Sequence, residues 1–274
     1  MAGHVNLDAL IPREDFDITD PTFDSSSPKQ TVSVTDLRRG DFPFSALRKP
    51  DFVREISQWD SFKVVDFVES FLTGDLIPAL ILWRNPNGYT FVIDGSHRLS
   101  SLAAWINDDY GDGEISKNFY ESVIPDEQRD VAAKTRVEIK KLGPYADYEL
   151  ATRSPEKVKP EVADRARRLG TLAITLQYVI GDATKTESSF FKINQKASPI
   201  DKTELNVLIM RRTPIGIAAR AFARSSKGHK YWSTFNPANI TLLETLSREI
   251  HEREGWSRPL WRWWLAFAFG TATA

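Results

Sequence analysis

Hydrophobic positions change their spacing several times along the chain, and each change marks an element. From Tyr89 to Ile93 the residues are aromatic and β-branched, which suits a short strand. Leu99, Leu102, Ala103 and Ile106 then recur at helical spacing. Between the two lies Asp94-Gly95, a turn signal in which Gly relieves the cost of an unusual backbone angle. Upstream, Val64, Val65, Val68, Phe71 and Leu72 form one face of a helix capped by Asp60 or Ser61 and ended by Gly74. The apolar run Ile77 to Trp83 predicts a strand, and Asn85-Pro86-Asn87-Gly88 folds it back as a hairpin. The order is helix, strand, turn, strand, tight turn, helix.

Elsewhere the pattern is weaker. Thr31 to Leu37 alternates and predicts a first strand, followed by a turn at Arg38-Arg39-Gly40-Asp41. Arg136 to Leu142 alternates Val137 and Ile139 with a basic face and predicts another strand. Tyr145 to Pro160 is charged and Pro-bearing and reads as irregular, whereas Glu161 to Arg168 reads as a helix. Leu172, Ile174, Leu176, Tyr178 and Ile180 alternate through a further strand. Thr184-Lys185-Thr186-Glu187 is a capping box opening a helix through Phe190, Phe191 and Ile193. A second box, Asp201 to Glu204, opens a helix with Leu205, Leu208 and Ile209. Residues 1–30, with Asp15, Asp17, Asp20, Asp24 and Ser25-Ser26-Ser27-Pro28, suit a solvated, flexible arm. Trp256, Trp261, Trp263 and Trp264 crowd a final apolar helix that reads as core packing. Three parts follow: the arm, a folded domain at 31–210, and a helical extension at 211–274. The fold class expected is α+β, a small mixed sheet with flanking helices and a helical C-terminal part.

Composition narrows the chemistry. With 274 residues and 41% hydrophobic content the chain can bury a real core. A formal net charge of −1 exerts no global pull on nucleic acid or membrane, so any polyanion contact must be local. The absence of Cys excludes disulfides, thiolate metal sites and cysteine catalysis. Four His without a His-x-x-x-His pair make a zinc site unexpected. Without an apolar N-terminal run or an 18-residue apolar window, neither signal peptide nor membrane span is expected, and a cytoplasmic protein is. Asp108, Asp109, Asp112 and Glu114 make either a metal loop or a solvated one, and their loose spacing favours the second.

Two clusters carry candidate chemistry. Ser96 lies at a helix start, where N–H groups favour an anion. Arg98 can fork two donors onto a phosphate, His97 can share protons near neutral pH, and Asp94 can hold Mg²⁺ or orient Arg98. A capped turn with a structural Asp–Arg pair reads the same residues without any ligand. In the second cluster, extended backbone around Pro50 aims Lys49, Asp51 and Arg54 from one loop, anchored by Phe52 and Trp59.

Asp94-Gly95-Ser96-His97-Arg98-Leu99-Ser100-Ser101-Leu102 resembles the signature of one branch of the ParB/sulfiredoxin-like superfamily. There the motif runs Asp-Gly-Gln-(Gln/His)-Arg, then Leu-Thr-x-Leu; here Ser96 stands for the first Gln. Lys49, Pro50, Phe52, Arg54 and Trp59 match a second run of that branch, with Val53 replacing a Gln. Phe191, Ile193, Asn194, Pro199, Ile200, Glu204 and Leu205 match a third, so the resemblance spans roughly residues 45–210. The branch includes the N-terminal domain of GmrS/GmrD-type modification-dependent restriction systems and a related regulator of DNA phosphorothioation. The groups themselves suit a nucleoside triphosphate, with Mg²⁺ on Asp94 and chemistry carried by Asp94, His97 and Arg98, and the resemblance implies the defence context. Lys49, Asp51, Arg54, Gly95, Ser96, Ser100, Asn194, Gln195 and Lys196 would line the nucleotide site. The function expected is nucleotide binding and hydrolysis in a DNA-directed restriction or phage-defence system, with a nuclease or modification subunit as partner. The alternative is a non-enzymatic DNA-binding regulator using the basic stretch Arg211, Arg212, Arg220, Arg224, Lys227 and Lys230.

Overall fold

The computed structural model describes residues 4–14, 16, 28–52, 59–120 and 124–197, and residues 210, 213, 238, 241, 242, 245, 246 and 249. The chain divides into two units, Met1–Ser188 and Ser189–Ala274. In the first, the strands are β1 (Arg13–Glu14), β2 (Thr31–Val32), β3 (Leu47–Pro50), β4 (Leu80–Arg84), β5 (Thr90–Asp94) and β6 (Ile174–Tyr178). They form one mixed sheet in the order β1-β3-β5-β4-β6-β2. β1, β3 and β5 run parallel, as do β4 and β6, whereas the β4–β5 hairpin is antiparallel. The helices are α1 (Phe42–Ser45), α2 (Ser61–Thr73), α3 (Ser96–Asn107), α4 (Glu114–Phe119), α5 (Asp126–Leu142), α6 (Tyr145–Ala151), α7 (Pro160–Leu169) and α8 (Ala183–Ala197). The mixed α+β class is as expected. Among the described residues no helix is long and apolar enough to cross a membrane.

The elements around the hairpin follow local rules. Asp60 caps α2 by accepting the Lys63 N–H at 2.9 Å. Gly74, at φ 81°, ends it: the Gly74 and Asp75 N–H groups return to Phe71 and Ser70. Val64, Val68, Phe71 and Leu72 of α2 and Leu99, Leu102 and Ala103 of α3 are buried with Leu80, Leu82 and Val92 of the sheet. Trp105 of α3 is almost fully buried and its indole N–H donates to the Gly143 carbonyl at 3.0 Å.

Where the pattern was weak, structure and expectation part. Arg136 to Leu142 is not a strand but the last two turns of α5. Val131, Thr135, Ile139 and Leu142 are buried at helical spacing, while Val137 is 57% exposed. The alternation of Val137 and Ile139 was local; the helical repeat that overrides it begins at Asp126. Tyr145 to Pro160 is not irregular throughout, because α6 buries Tyr145 and Tyr148 beside α3. Only Thr31–Val32 of the first expected strand pairs, and Val34–Leu37 is a 3₁₀ turn. α8 starts one residue before the expected box, with Asp182 accepting the Lys185 N–H at 2.9 Å. The acidic loop after α3 is not simply solvated. Asp109 is fully buried and accepts from the Gly111, Gly113 and Ser116 N–H groups and the Ser116 hydroxyl. Arg136 clamps Asp108 at 2.7 Å and Asp112 at 2.8 Å.

The N-terminal stretch is the larger correction. Val5, Leu7, Leu10 and Ile11 belong to the hydrophobic core, and β1 extends the sheet as a parallel neighbour of β3. The acidic and Ser-rich part expected to be an arm, residues 17–27, lies outside the described residues, as do the second capping box and the tryptophan cluster.

Asp36 ties the 3₁₀ turn: its Oδ2 accepts the Ser33 N–H at 2.7 Å and the Ser33 hydroxyl at 2.8 Å, and Lys29 reaches Oδ1. Burial alone would raise its pKa, but the hydrogen bonds from Lys29 and Ser33 outweigh that, and the carboxyl is held below its ordinary value. A depressed carboxyl adds stability above the unfolded-state pKa and loses it as pH falls through the folded value. Asp36→Asn should therefore cost about 1 kcal/mol near pH 7. The gap from wild type should narrow as pH falls from about 4 and close only below the depressed folded-state value, where both states hold the proton. Urea melts across pH check it; a gap that stays constant into acid would contradict it.

Candidate functional site

The turn between β5 and α3 is the chemically richest place in the first unit. β5 ends at Asp94, Gly95 turns the chain at φ 94°, and α3 begins at Ser96. No side chain caps α3. Its first-turn N–H groups have no intrahelical acceptor, and the helix dipole adds partial positive charge there. Gly95 is required at this place: an added Cβ would lie 2.3 Å from Leu80 Cδ2 and 3.0 Å from Arg98 Nη2.

One turn in, Arg98 Nη2 donates to Asp94 Oδ2 at 3.0 Å, and Nη1 donates to the Pro78 carbonyl. The Arg98 side chain is 15% exposed and that of Asp94 42%, so the pair sits at the rim of the fold. Two contacts fix the guanidinium plane, and the same fork has N–H donors beyond them. His97 stacks on Trp59, with ring centroids 5.6 Å apart and planes 26° apart. Trp59 is itself held by Phe67 edge-on, at 5.9 Å. Its carbonyl accepts the Val5 N–H at 2.8 Å. The Ser101 hydroxyl returns to the His97 carbonyl, while Ser96 and Ser100 are buried. The Ser100 hydroxyl has no hydrogen-bond partner among the described residues.

The second cluster reaches the same end of the sheet. β3 pairs with β5 in parallel, Arg48 beside Phe91, so the chain beyond Pro50 emerges next to Asp94. Asp51 and Phe52 are buried there. Lys49 lies deeper. It is fully buried, and its Nζ donates to the Asp8 carbonyl at 2.6 Å and to Asp8 Oδ1 at 2.8 Å. Arg13 Nη2 meets the same Asp8 oxygen at 2.8 Å. In this structure Lys49 holds the N-terminal segment to the sheet.

Asp94, Gly95, Ser96, His97, Arg98 and Ser100 are therefore brought together, with Asp51 emerging alongside. Arg54 lies outside the described residues. Asn194, Gln195 and Lys196 are on α8 in the second unit, and their side chains also lie outside them. Arg211, Arg212, Arg220, Arg224, Lys227 and Lys230 lie outside them as well. Among the described residues no group of three or more His, Asp or Glu could hold a metal by itself.

Sequence reasoning missed Pro78, Leu80 and Asp8, and assigned Trp59 to the core alone. The signal for Asp8 was present: Leu7, Ala9, Leu10 and Ile11 around it are too apolar for a solvated arm. Pro78 and Leu80 act through backbone and bulk, which no polar motif marks.

A family model described as GmrSD restriction endonuclease, N-terminal domain, matches residues 34–210. No curated protein and no solved structure matches the chain. The matched stretch is more than half of the sequence and holds the whole β5–α3 turn. The chain belongs to this family.

Proposed function

From that membership, we propose that the protein is the nucleotide-responsive component of a DNA-directed restriction or phage-defence system. A nucleoside triphosphate binds at the β5–α3 turn, and DNA and a nuclease domain complete the system. The observation that carries this reading is the Asp94–Arg98 pair at the uncapped start of α3, inside the family match.

A phosphate at the head of α3 meets backbone N–H donors and a favourable dipole. Arg98 is oriented before any ligand arrives, so little side-chain entropy is lost when its outer donors engage a phosphate. Asp94 spends Oδ2 on Arg98 and keeps Oδ1. Mg²⁺ fits this set: it is commonly held by one or two carboxylates plus the substrate's own phosphates, so Asp94 can suffice. When bound it would neutralise charge on the transferred phosphoryl group. His97, fixed by its stack on Trp59, is the residue we assign to orienting the attacking water.

Thermal shift with ATP and GTP in Mg²⁺ buffer tests binding, and phosphate release tests hydrolysis. At about tenfold excess over Kd the melting temperature should rise by about 3–5 °C. Arg98→Ala and Asp94→Ala should each abolish the rise and any phosphate release. Wild-type protein that neither shifts nor releases phosphate would overturn the proposal.

A further inference from the structure

The plane on which His97 lies is set by Trp59, and Trp59 is held from two sides. Phe67 of α2 meets its ring edge-on. Its backbone is held by residues that lie before the family match: the Val5 N–H donates to the Trp59 carbonyl at 2.8 Å, and His4 forms an antiparallel bridge with Asp60. Val5 and Leu7 are buried core residues. Apolar burial is non-directional, so it keeps these two side chains inside without fixing where the segment stops along its own axis.

Asn6, between them, supplies the direction. Its Nδ2 donates to the Tyr120 hydroxyl at 2.9 Å and to Gln128 Oε1 at 3.1 Å, which uses both amide N–H groups. Its Oδ1 accepts the Asp8 N–H at 3.1 Å. Gln128, in the first turn of α5, donates in turn to the Gly111 carbonyl in the loop after α3. That loop presses on the Asn6 backbone, since a Cβ at Gly111 would lie 2.5 Å from the Asn6 carbonyl oxygen. One amide thus ties the segment to the loop, to the end of α4 and to α5, one residue away from the hydrogen bond that holds Trp59.

We propose that Asn6 is a positioning residue of the β5–α3 site: it sets the register of His4–Leu7, and through the Val5–Trp59 hydrogen bond it sets the plane beneath His97. This role rests on the assignment of His97 to orienting the attacking water. It predicts a separation of binding from chemistry. Arg98 is oriented by Asp94 and Pro78, without help from Trp59, so phosphate binding should not depend on Asn6. The placement of His97 should.

Asn6→Ala is the test, with Asp36→Asn as a control that loosens the fold elsewhere. Asn6→Ala should lower kcat for phosphate release at least ~10-fold, because small misplacements of a reacting group are costly. The Kd for ATP, from thermal shift, should stay within about twofold of wild type. A second readout needs no turnover. The chain has four His, and His97→Gln identifies the ring-proton signal of His97 among them by NMR. The indole stack shifts that signal upfield in wild type, and Asn6→Ala should move it toward the position of a free imidazole, whereas Asp36→Asn should leave it in place. A His97 signal unmoved by Asn6→Ala overturns the proposal. So does a variant whose kcat and Kd change only as those of Asp36→Asn do. Wild-type protein that binds no nucleotide overturns the nucleotide reading instead, and the His97 signal then decides alone whether Asn6 sets that ring.

Discussion

Gly95→Ala is expected to lower unfolding free energy by about 2–5 kcal/mol, with the midpoint in urea falling accordingly. Two costs add. At φ 94° an L-residue is strained by about 1–2 kcal/mol, because its Cβ crowds the following carbonyl. The new methyl also arrives 2.3 Å from Leu80 Cδ2, in a side chain that is itself fully buried and has little room to retreat. Overpacking of that kind costs about 1–3 kcal/mol. The third neighbour gives the substitution a functional signature. Arg98 Nη2 would stand 3.0 Å from the methyl, so the guanidinium must give by a few tenths of an ångström where it meets Asp94 and Pro78. Any nucleotide-dependent rise in melting temperature should be lost in the variant even at temperatures where it is folded. A loss below about 1 kcal/mol would mean that this turn is far softer than its geometry implies.

Asp8→Asn is expected to cost about 3–5 kcal/mol, more than most single substitutions. The Asp8 carboxylate is the shared acceptor of Lys49 and Arg13, whose side chains are both fully buried. Water cannot replace it there. Removing one member of a buried ionic cluster leaves desolvated charge behind, and that penalty rather than the lost attraction sets the magnitude. Lys49→Met should cost less, since it removes charge and fills much of the same volume. A double-mutant cycle between Asp8→Asn and Lys49→Met should give a coupling of about 1–3 kcal/mol. Independent, additive effects would show that the two groups do not support one another. The cluster also explains why β1 stays on the sheet edge despite its two-residue length: Arg13 is a β1 residue, and Lys49 is its partner in register on β3.

Two consequences for the site follow from the cluster. Lys49 has the charge and the sequence position of a phosphate ligand, yet its ammonium points into the fold toward Asp8. Among the described residues, those placed to meet an anion are on the far side of Gly95, chiefly Arg98 and the head of α3. The segment that holds Lys49 lies before residue 34, so part of what shapes the site stands outside the stretch that defines the family.

Local pattern and local structure agree wherever neighbours in sequence are neighbours in space. Asp94-Gly95 was legible as a turn because the positive φ is a property of that dipeptide alone. α2, with Asp60 before it and Gly74 after it, was legible for the same reason, and so was the β4–β5 hairpin. The Asp94–Arg98 pair follows directly, since residues four apart on a helix start face each other. α5 was misread because a window of seven residues cannot separate periods of 2 and 3.6 when the rest of the repeat, from Asp126 on, is charged and inconspicuous.

The amino-acid order by itself determined the turn, the helix that follows it and the polar groups they carry, since each depends on contacts spanning only a few residues. The tertiary structure alone decided which of those groups face outward. Lys49 and Asp8 are 41 positions apart, and only the sheet brings them together. Once they meet out of water, desolvation makes the ammonium a strut of the fold, and no motif within one segment records such a meeting.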